Sequence, residues 1–257
     1  MKKGLKLLWL VICLGVILFA GMKIYGIYSE YEVGTQTYEN LAEQYVILPD
    51  MQTSRTTEHD AENPDGETEH VTVLPEVDFA SLKKTCNDVV AWIYCEGTPI
   101  NYPIVQGEDN DYYLYRLLDG RSNKNGTLFM DCRNHGDFSD MNTIIYGHNM
   151  KNGSMFGILP EYMDQGFYEE HPVWYLLTEE KNYRIELVGG YVTPAESEAY
   201  GFPTGVDGRD ALFQKAARSS SFKTGVQPEE NDRLITMSTC VYDYENARYV
   251  LVGVLRE

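Results

Sequence analysis

Cys240 ends the run Asp232 to Cys240, in which Leu234, Thr236, Ser238 and Cys240 alternate with Ile235, Met237 and Thr239. A period of two is that of a β-strand, so the two sets take opposite faces and the thiol stands at the strand's end. After a loop over 241–246, Ala247 to Val254 reads as a second strand. Paired as a hairpin, the two bring Cys240 and Arg248 together at their open end. A guanidinium beside a thiol lowers the thiol pKa, and its fixed plane of donors suits an oxyanion forming on an attacked carbonyl. An inert strand-end thiol beside a surface Arg has the same sequence, so the chemistry needs a proton-transfer partner. Among the five His residues, His59 and His70 lie in a polar stretch, His171 precedes Pro172, and His135 sits in the polar loop Arg133 to Asp137. His148 differs from these. It follows the short apolar strand Asn142 to Tyr146 and opens the loop 149–153, which delivers it to a strand end, as activation of a thiol and protonation of an amine leaving group require. Position alone leaves open a His held by hydrogen bonds to neighbouring loops.

The elements that must carry these residues are short. Apolar runs rich in Ile, Val, Tyr and Thr span Ile100 to Val105, Gly126 to Met130, Asn142 to Tyr146, Trp174 to Leu177, Tyr183 to Val192, Leu234 to Thr239 and Ala247 to Leu255, with Gly, Asn, Asp and Pro between them. That pattern predicts an antiparallel sandwich or barrel. Gly208 to Ser221 instead has helical spacing, with Asp207 or Asp210 early and Arg218 late, as the helix dipole favours. Asp78 caps a short helix near Leu82, and Val89 and Val90 supply apolar contacts before Ala91 to Tyr94. The fold class is therefore mostly β, with short N-terminal helices and one mid-chain helix.

Lys2, Lys3 and Lys6 precede the apolar run Leu7 to Met22, and Lys23 can snorkel to extend it to Tyr28. Residues 1–28 read as an uncleaved signal anchor with a cytoplasmic N-terminus, which puts the remainder outside; the alternative, a cleaved signal peptide, has only a poor cleavage site at Leu18 to Met22. Residues 29–77 form a stalk and acidic linker: Ser29 to Val46 can continue as a helix, and Pro49 to Asp78 is too polar to bury a core. Residues 78–257, roughly 180 of them, suit one domain with one active site. A net charge of −18 argues against a nucleic-acid partner. The cysteines match no disulfide framework or metal motif, so Cys86, Cys95 and Cys132 are expected free and buried. Glu108 to Asp111 lacks the spacing of an EF-hand loop, and no metal or cofactor is expected.

The strings Thr236 to Cys240, Tyr146 to Met150, Ala247-Arg248 with the apolar strand behind it, and Asn101 to Gly107 resemble those of the sortase family, class B in particular, in the same order and spacing. Gly126 to Asp131 and Gly153 to Phe156 match further blocks, and the likeness runs from about Phe79 to the C-terminus. Met237 stands where the family usually carries Leu, a swap of similar volume. The resemblance implies an eight-stranded β-barrel, with a helix before the penultimate strand supplied by Gly208 to Ser221. It implies Cys240, His148 and Arg248 as catalytic residues. The implied reaction cleaves a C-terminal sorting signal of a secreted protein after Thr, holds the acyl part as a thioester on the Cys, and transfers it to an amine of a peptidoglycan precursor such as lipid II. Ser238 shares the Cys240 face and is a candidate substrate contact, while Asn110, Leu114 and Tyr200 are similar to residues lining the class B peptide groove. No carboxylate partner for His148 is evident, and Asp131, Asp137, Asp140 and Asp243 read as loop or capping residues. Two other readings use the same residues: a cell-surface cysteine protease or hydrolase with water as acceptor, and a non-enzymatic binding barrel in which Cys240 and Arg248 are structural.

Overall fold

The structure, a computed structural model, describes residues 2–47 and 74–257. Most of the polar linker, with His59 and His70, lies outside the described residues. The chain opens with α1 (Lys2–Tyr45), whose stretch from Trp9 onward is long and apolar enough to cross a membrane and fits a single-pass anchor. Its far half is no free stalk. Tyr31, Gly34, Thr35, Tyr38, Leu41, Ala42 and Tyr45 are buried or half-buried at helical spacing, a stripe laid against the rest of the molecule. Tyr38 is 1% exposed and meets Tyr102 edge to face at 5.7 Å. The folded body thus takes in residues well before the expected boundary near Val77.

Two short strands, β1 (Val46–Ile47) and β2 (Glu76–Val77), pair antiparallel after α1. They lead into α2 (Phe79–Thr85), whose first turn is capped by Asp78 Oδ1 accepting from Ser81 N at 2.9 Å. The barrel follows: β3 (Val89–Tyr94), β4 (Asn101–Val105), β5 (Leu128–Met130), β6 (Asn142–Tyr146), β7 (Val173–Leu177), β8 (Asn182–Pro194), β9 (Arg233–Cys240) and β10 (Ala247–Arg256). α3 (Gln165–Glu170) precedes β7, and α4 (Val206–Ser219) lies between β8 and β9. The eight strands close in the order β10, β8, β7, β3, β4, β5, β6, β9.

Two features depart from the sequence reading. β3 was expected only as apolar contact after a helix, because its near-continuous apolar run shows no alternation; it is instead a central strand buried on both faces, paired with β4 and β7. The barrel is also not wholly antiparallel, since β4 pairs parallel with β5 and β6 parallel with β9. Parallel neighbours need crossovers, and the long connection from β6 round to β9 supplies one.

The inner core joins Ala91, Ile93, Ile104, Ile145, Trp174, Leu187, Ile235, Met237 and Leu251. On the outer face of β8, β9 and β10, Leu234, Val250, Val252 and Val254 are covered by Leu212, Phe213 and Ala216 of α4. β9 is therefore buried on both sides along its middle and emerges only at its ends.

Candidate active site

Two strand pairings bring the three candidate residues, Cys240, His148 and Arg248, to one rim of the barrel. In the antiparallel pair of β9 and β10, Arg248 lies directly opposite Cys240. In the parallel pair of β6 and β9, Tyr146 lies beside Ser238. Parallel strands end at the same rim, so continuing that register by two residues brings His148 level with Cys240. Hydrogen bonds carry the alignment past the strand ends: Gly147 N donates to Ser238 O at 3.1 Å, Thr239 Oγ1 to Gly147 O at 2.8 Å, and Asn149 Nδ2 to Cys240 O at 2.8 Å. Gly147 permits this close approach, because a Cβ there would stand 2.4 Å from Leu128 Cδ2 and 2.7 Å from Phe156 Cδ2.

His148 is half-buried, its ring 5.3 Å from that of Tyr115. Its Nε2 lies 2.6 Å from Leu114 O. A carbonyl oxygen only accepts, so Nε2 carries the proton and Nδ1 keeps its lone pair. Burial pushes the imidazole below its usual pKa, and the bond to Leu114 O offsets part of that shift. The orienting partner is thus a backbone carbonyl in place of a carboxylate. Cys240 and Arg248 are half-buried, and Arg248 Nη1 donates to its neighbour Ala247 O at 3.1 Å.

The other rim residues form a polar chain. Ser238 is buried and its hydroxyl is 2.8 Å from that of Tyr200. Burial raises the Tyr200 pKa, opposed by the Ser238 bond and the Arg248 charge, with Cys240 also within electrostatic reach. Tyr200 stacks on Tyr146 at 6.1 Å between ring centres, and Tyr146 donates to Asp131 Oδ2 at 2.9 Å. Asn110 belongs to this chain at one remove: its Nδ2 donates to Asp131 Oδ2 at 3.1 Å and its Oδ1 accepts from Cys132 N at 2.8 Å. Leu114 gives its carbonyl to His148 and packs its side chain with the cluster around Phe129 and Tyr146.

Cys132 corrects the sequence reading, and Asp131, which caps its loop by accepting from Arg133 N at 3.0 Å, does more than cap. Asp131 is fully buried at the end of β5, where Arg133 forks onto both its oxygens at 2.8 and 2.7 Å. Burial alone would raise its pKa, but the bonds from Arg133 and Tyr146 hold the carboxyl below its usual range. With Asp131 turned inward, the next side chain turns outward, so Cys132 is exposed and not buried. Cys86 is half-buried and Cys95 buried; all five cysteines are free, and burial lifts the Cys95 thiol to about 11. Asp140 holds the ring of His135 at 2.8 Å, and Asp137 bonds Ser139 N at 3.0 Å. Asn149 and Tyr146 were not singled out beforehand. Only the parallel register of β6 on β9, which a local pattern does not contain, sets Tyr146 beside Ser238 and Asn149 beside Cys240.

A closed barrel with a thiol, an imidazole and a guanidinium aligned on its rim defines a class of thiol acyl-transfer proteins. A model of the sortase domain matches residues 93–256. The chain is 38% identical over 252 residues to sortase B of Listeria monocytogenes, an alignment covering 95% of this chain and 94% of that protein. Among solved structures, a Staphylococcus aureus sortase B–substrate complex superposes with a TM-score of 0.65 at 31% identity, covering 70% of this chain and 84% of that one. A sortase B from B. anthracis gives 0.71 at 29% identity, covering 90% and 100%. The chain belongs to the sortase family, with class B sortases as these relatives, and is a cysteine transpeptidase.

Proposed function

We propose that this transpeptidase cleaves a C-terminal sorting signal after Thr, with Cys240 as nucleophile, His148 as proton carrier and Arg248 as oxyanion donor, and joins the acyl part to an amine of a peptidoglycan precursor. The observation that carries this reading is the single row of His148, Cys240 and Arg248 set by two strand registers. The Cys240 thiol gives its proton to Nδ1 of His148 as Sγ attacks the carbonyl carbon. Arg248 donates to the oxygen as it gains charge. Collapse breaks the C–N bond, His148 returns its proton to the departing amine, and a thioester remains on Cys240. The acceptor amine then attacks that carbonyl and loses a proton to His148. Breaking the C–S bond releases the Cys240 thiolate, and His148 returns the amine's proton to it.

In this reading Ser238 and Tyr200, whose hydroxyls bond each other, contact the sorting peptide, as do Asn110 and Leu114. The solved sortase B–substrate complex supports a peptide partner of this kind. Residues 1–28 anchor the chain with its N-terminus in the cytoplasm, and residues 78–257 act at the cell surface, where the membrane-borne precursor amine is found.

The test is mass spectrometry of the full chain in detergent micelles with a panel of sorting-signal peptides ending in Asn or Gly after Thr, with and without an amine acceptor, beside Cys240→Ala. Cleavage after Thr, an acyl adduct on Cys240 and amine-dependent ligation support the reading. Cleavage that never ligates transfers it to a hydrolase.

A further inference from the structure

None of the chemistry above uses α1, yet its second half is bonded to the rim of the barrel. Asn123 Nδ2 donates to Glu30 O at 3.0 Å, and Asn125 Nδ2 reaches Tyr31 O and Thr35 Oγ1 at 3.5 Å each. Lys124 pairs with Glu30 at 2.9 Å. Buried in the same face, Tyr38 places its hydroxyl 2.6 Å from Gly126 O and 2.7 Å from Thr127 Oγ1. Glycine is costly inside a helix relative to Ala, yet Gly34 sits in the contact. A Cβ there would lie 2.5 Å from Asn125 Cγ and 2.7 Å from Asn123 Oδ1, so the helix reaches these side chains only with glycine at this position.

The segment gripped in this way holds the active-site histidine. Thr127 N donates to Tyr113 O at 3.0 Å, Thr127 Oγ1 to Arg116 O at 2.8 Å, and Asn123 N to Tyr115 O at 3.0 Å. These bonds fix the turn over 113–116 from both sides, and Leu114 O in that turn is the acceptor for His148 Nε2. A second tether reaches the loop that follows His148: Asn152 Nδ2 donates to Thr35 Oγ1 at 3.0 Å. α1 therefore grips the 123–127 segment that braces the turn holding Leu114 O, and it also bonds the loop that follows His148.

We infer that Thr35 and Tyr38 are positioning residues for His148, and that α1 acts as a clamp on the active-site rim. The clamp lies on the same helix that fits a membrane anchor, with Thr35 roughly 10 Å along the axis from Tyr28 at 1.5 Å per residue. A rod of that kind holds the rim at a fixed offset from the bilayer.

The inference rests on the catalytic reading of His148, and the experiment separates the two. The full chain in micelles is compared with Tyr38→Phe, the double variant Thr35→Val with Asn152→Ala, and Gly34→Leu, by peptide ligation kinetics and by ring nitrogen NMR of His148. The expected result is a roughly tenfold fall in kcat for the first two, a larger fall for Gly34→Leu, little change in KM, and loss of the sharp Nε2–H signal of the Leu114-bonded tautomer. An unchanged His148 signal in folded molecules of all three, or activity that falls only with the folded fraction, overturns the clamp. His148→Ala is the control for the reading beneath it: ligation that survives this change removes His148 from catalysis, while the His148 ring signal of the Tyr38, Thr35/Asn152 and Gly34 variants still decides the clamp.

Discussion

Around Cys240 the work divides between a permanent charge and a titratable one. Arg248 cannot be replaced by Lys without losing the planar array of donors, since an ammonium is a point charge on a flexible stem. Arg248→Lys is expected to lower kcat/KM for ligation by roughly 10²-fold or more, the range seen when one oxyanion donor is removed, and Cys240→Ala to abolish acyl-enzyme formation. Peptide turnover measured by chromatography checks both, and near-normal rates would remove that residue from its role. On the proposed mechanism His148 has the opposite requirement, because a neutral ring is needed to take the thiol proton. Burial holds its pKa below 6.5 in the folded chain, so its ring NMR titration is expected to have its midpoint below that of a free imidazole. The folded pKa being the lower one, protonation favours the unfolded chain: the stability tied to a neutral His148 is present above pH 6.5 and is lost as pH falls through the folded pKa. Denaturation at pH 7 and pH 5 should therefore show a smaller acid loss for His148→Gln than for the parent. The catalytic roles of Cys240, His148 and Arg248 rest on the resemblance to the sortase family, while the strand-end placing of Cys240 and His148 was legible in the sequence from period-two alternation. Asp131 was not, because a single Asp after an apolar run looks the same whether it caps a loop or is buried among an Arg, a Tyr and an Asn.

What places these side chains is the pairing of strands, and most of all the parallel contact of β6 with β9. The hairpin of β9 and β10 was readable because its strands are adjacent in sequence; the contact of β6 with β9 joins residues some ninety positions apart and leaves no local mark. Gly147 is the hinge of that contact, passing beneath Leu128 and Phe156 where a Cβ does not fit. Gly147→Ala is expected to cost about 1–3 kcal/mol by overpacking, read as a lower denaturation midpoint, and to lower kcat further than the loss of folded protein explains, since the residue displaced is His148. Asn149→Leu separates the two effects. It removes only the bond to Cys240 O, a single half-exposed contact worth about 1 kcal/mol, so its activity should fall while its midpoint stays near that of the parent. If Asn149→Leu leaves ligation intact, the rim is held by strand register alone.

At the scale of the whole molecule, the question is where the folded unit begins. Composition suggested a boundary near Val77, because the polar linker interrupts the chain and the alternation of acidic and apolar residues in 29–46 reads as a solvated stalk. The same residues at helical spacing, Tyr31, Gly34, Thr35, Tyr38, Leu41, Ala42 and Tyr45, describe an amphipathic stripe, and three tyrosines on one face of a solvated helix leave much apolar surface without a partner. In the structure Tyr45 bonds Thr85 at 2.8 Å, its carbonyl accepts from Asp78 N at 2.9 Å, and β1 pairs with β2 across the linker. A chain beginning at Ser29 keeps all of these contacts and sheds only the exposed apolar segment, so it should unfold cooperatively with the midpoint of the full-length protein's outer part. A chain beginning at Val46 keeps the barrel but uncovers Tyr102 and the 113–127 segment. Full burial of one large apolar side chain is worth about 1.5–3 kcal/mol, so a chain without the buried Tyr38 and half-buried Leu41 is expected to have a lower midpoint. Denaturant unfolding of the two chains side by side decides the matter: equal midpoints would return α1 to the status of a stalk, whereas a lower midpoint for the shorter chain makes the helix part of the domain that it anchors.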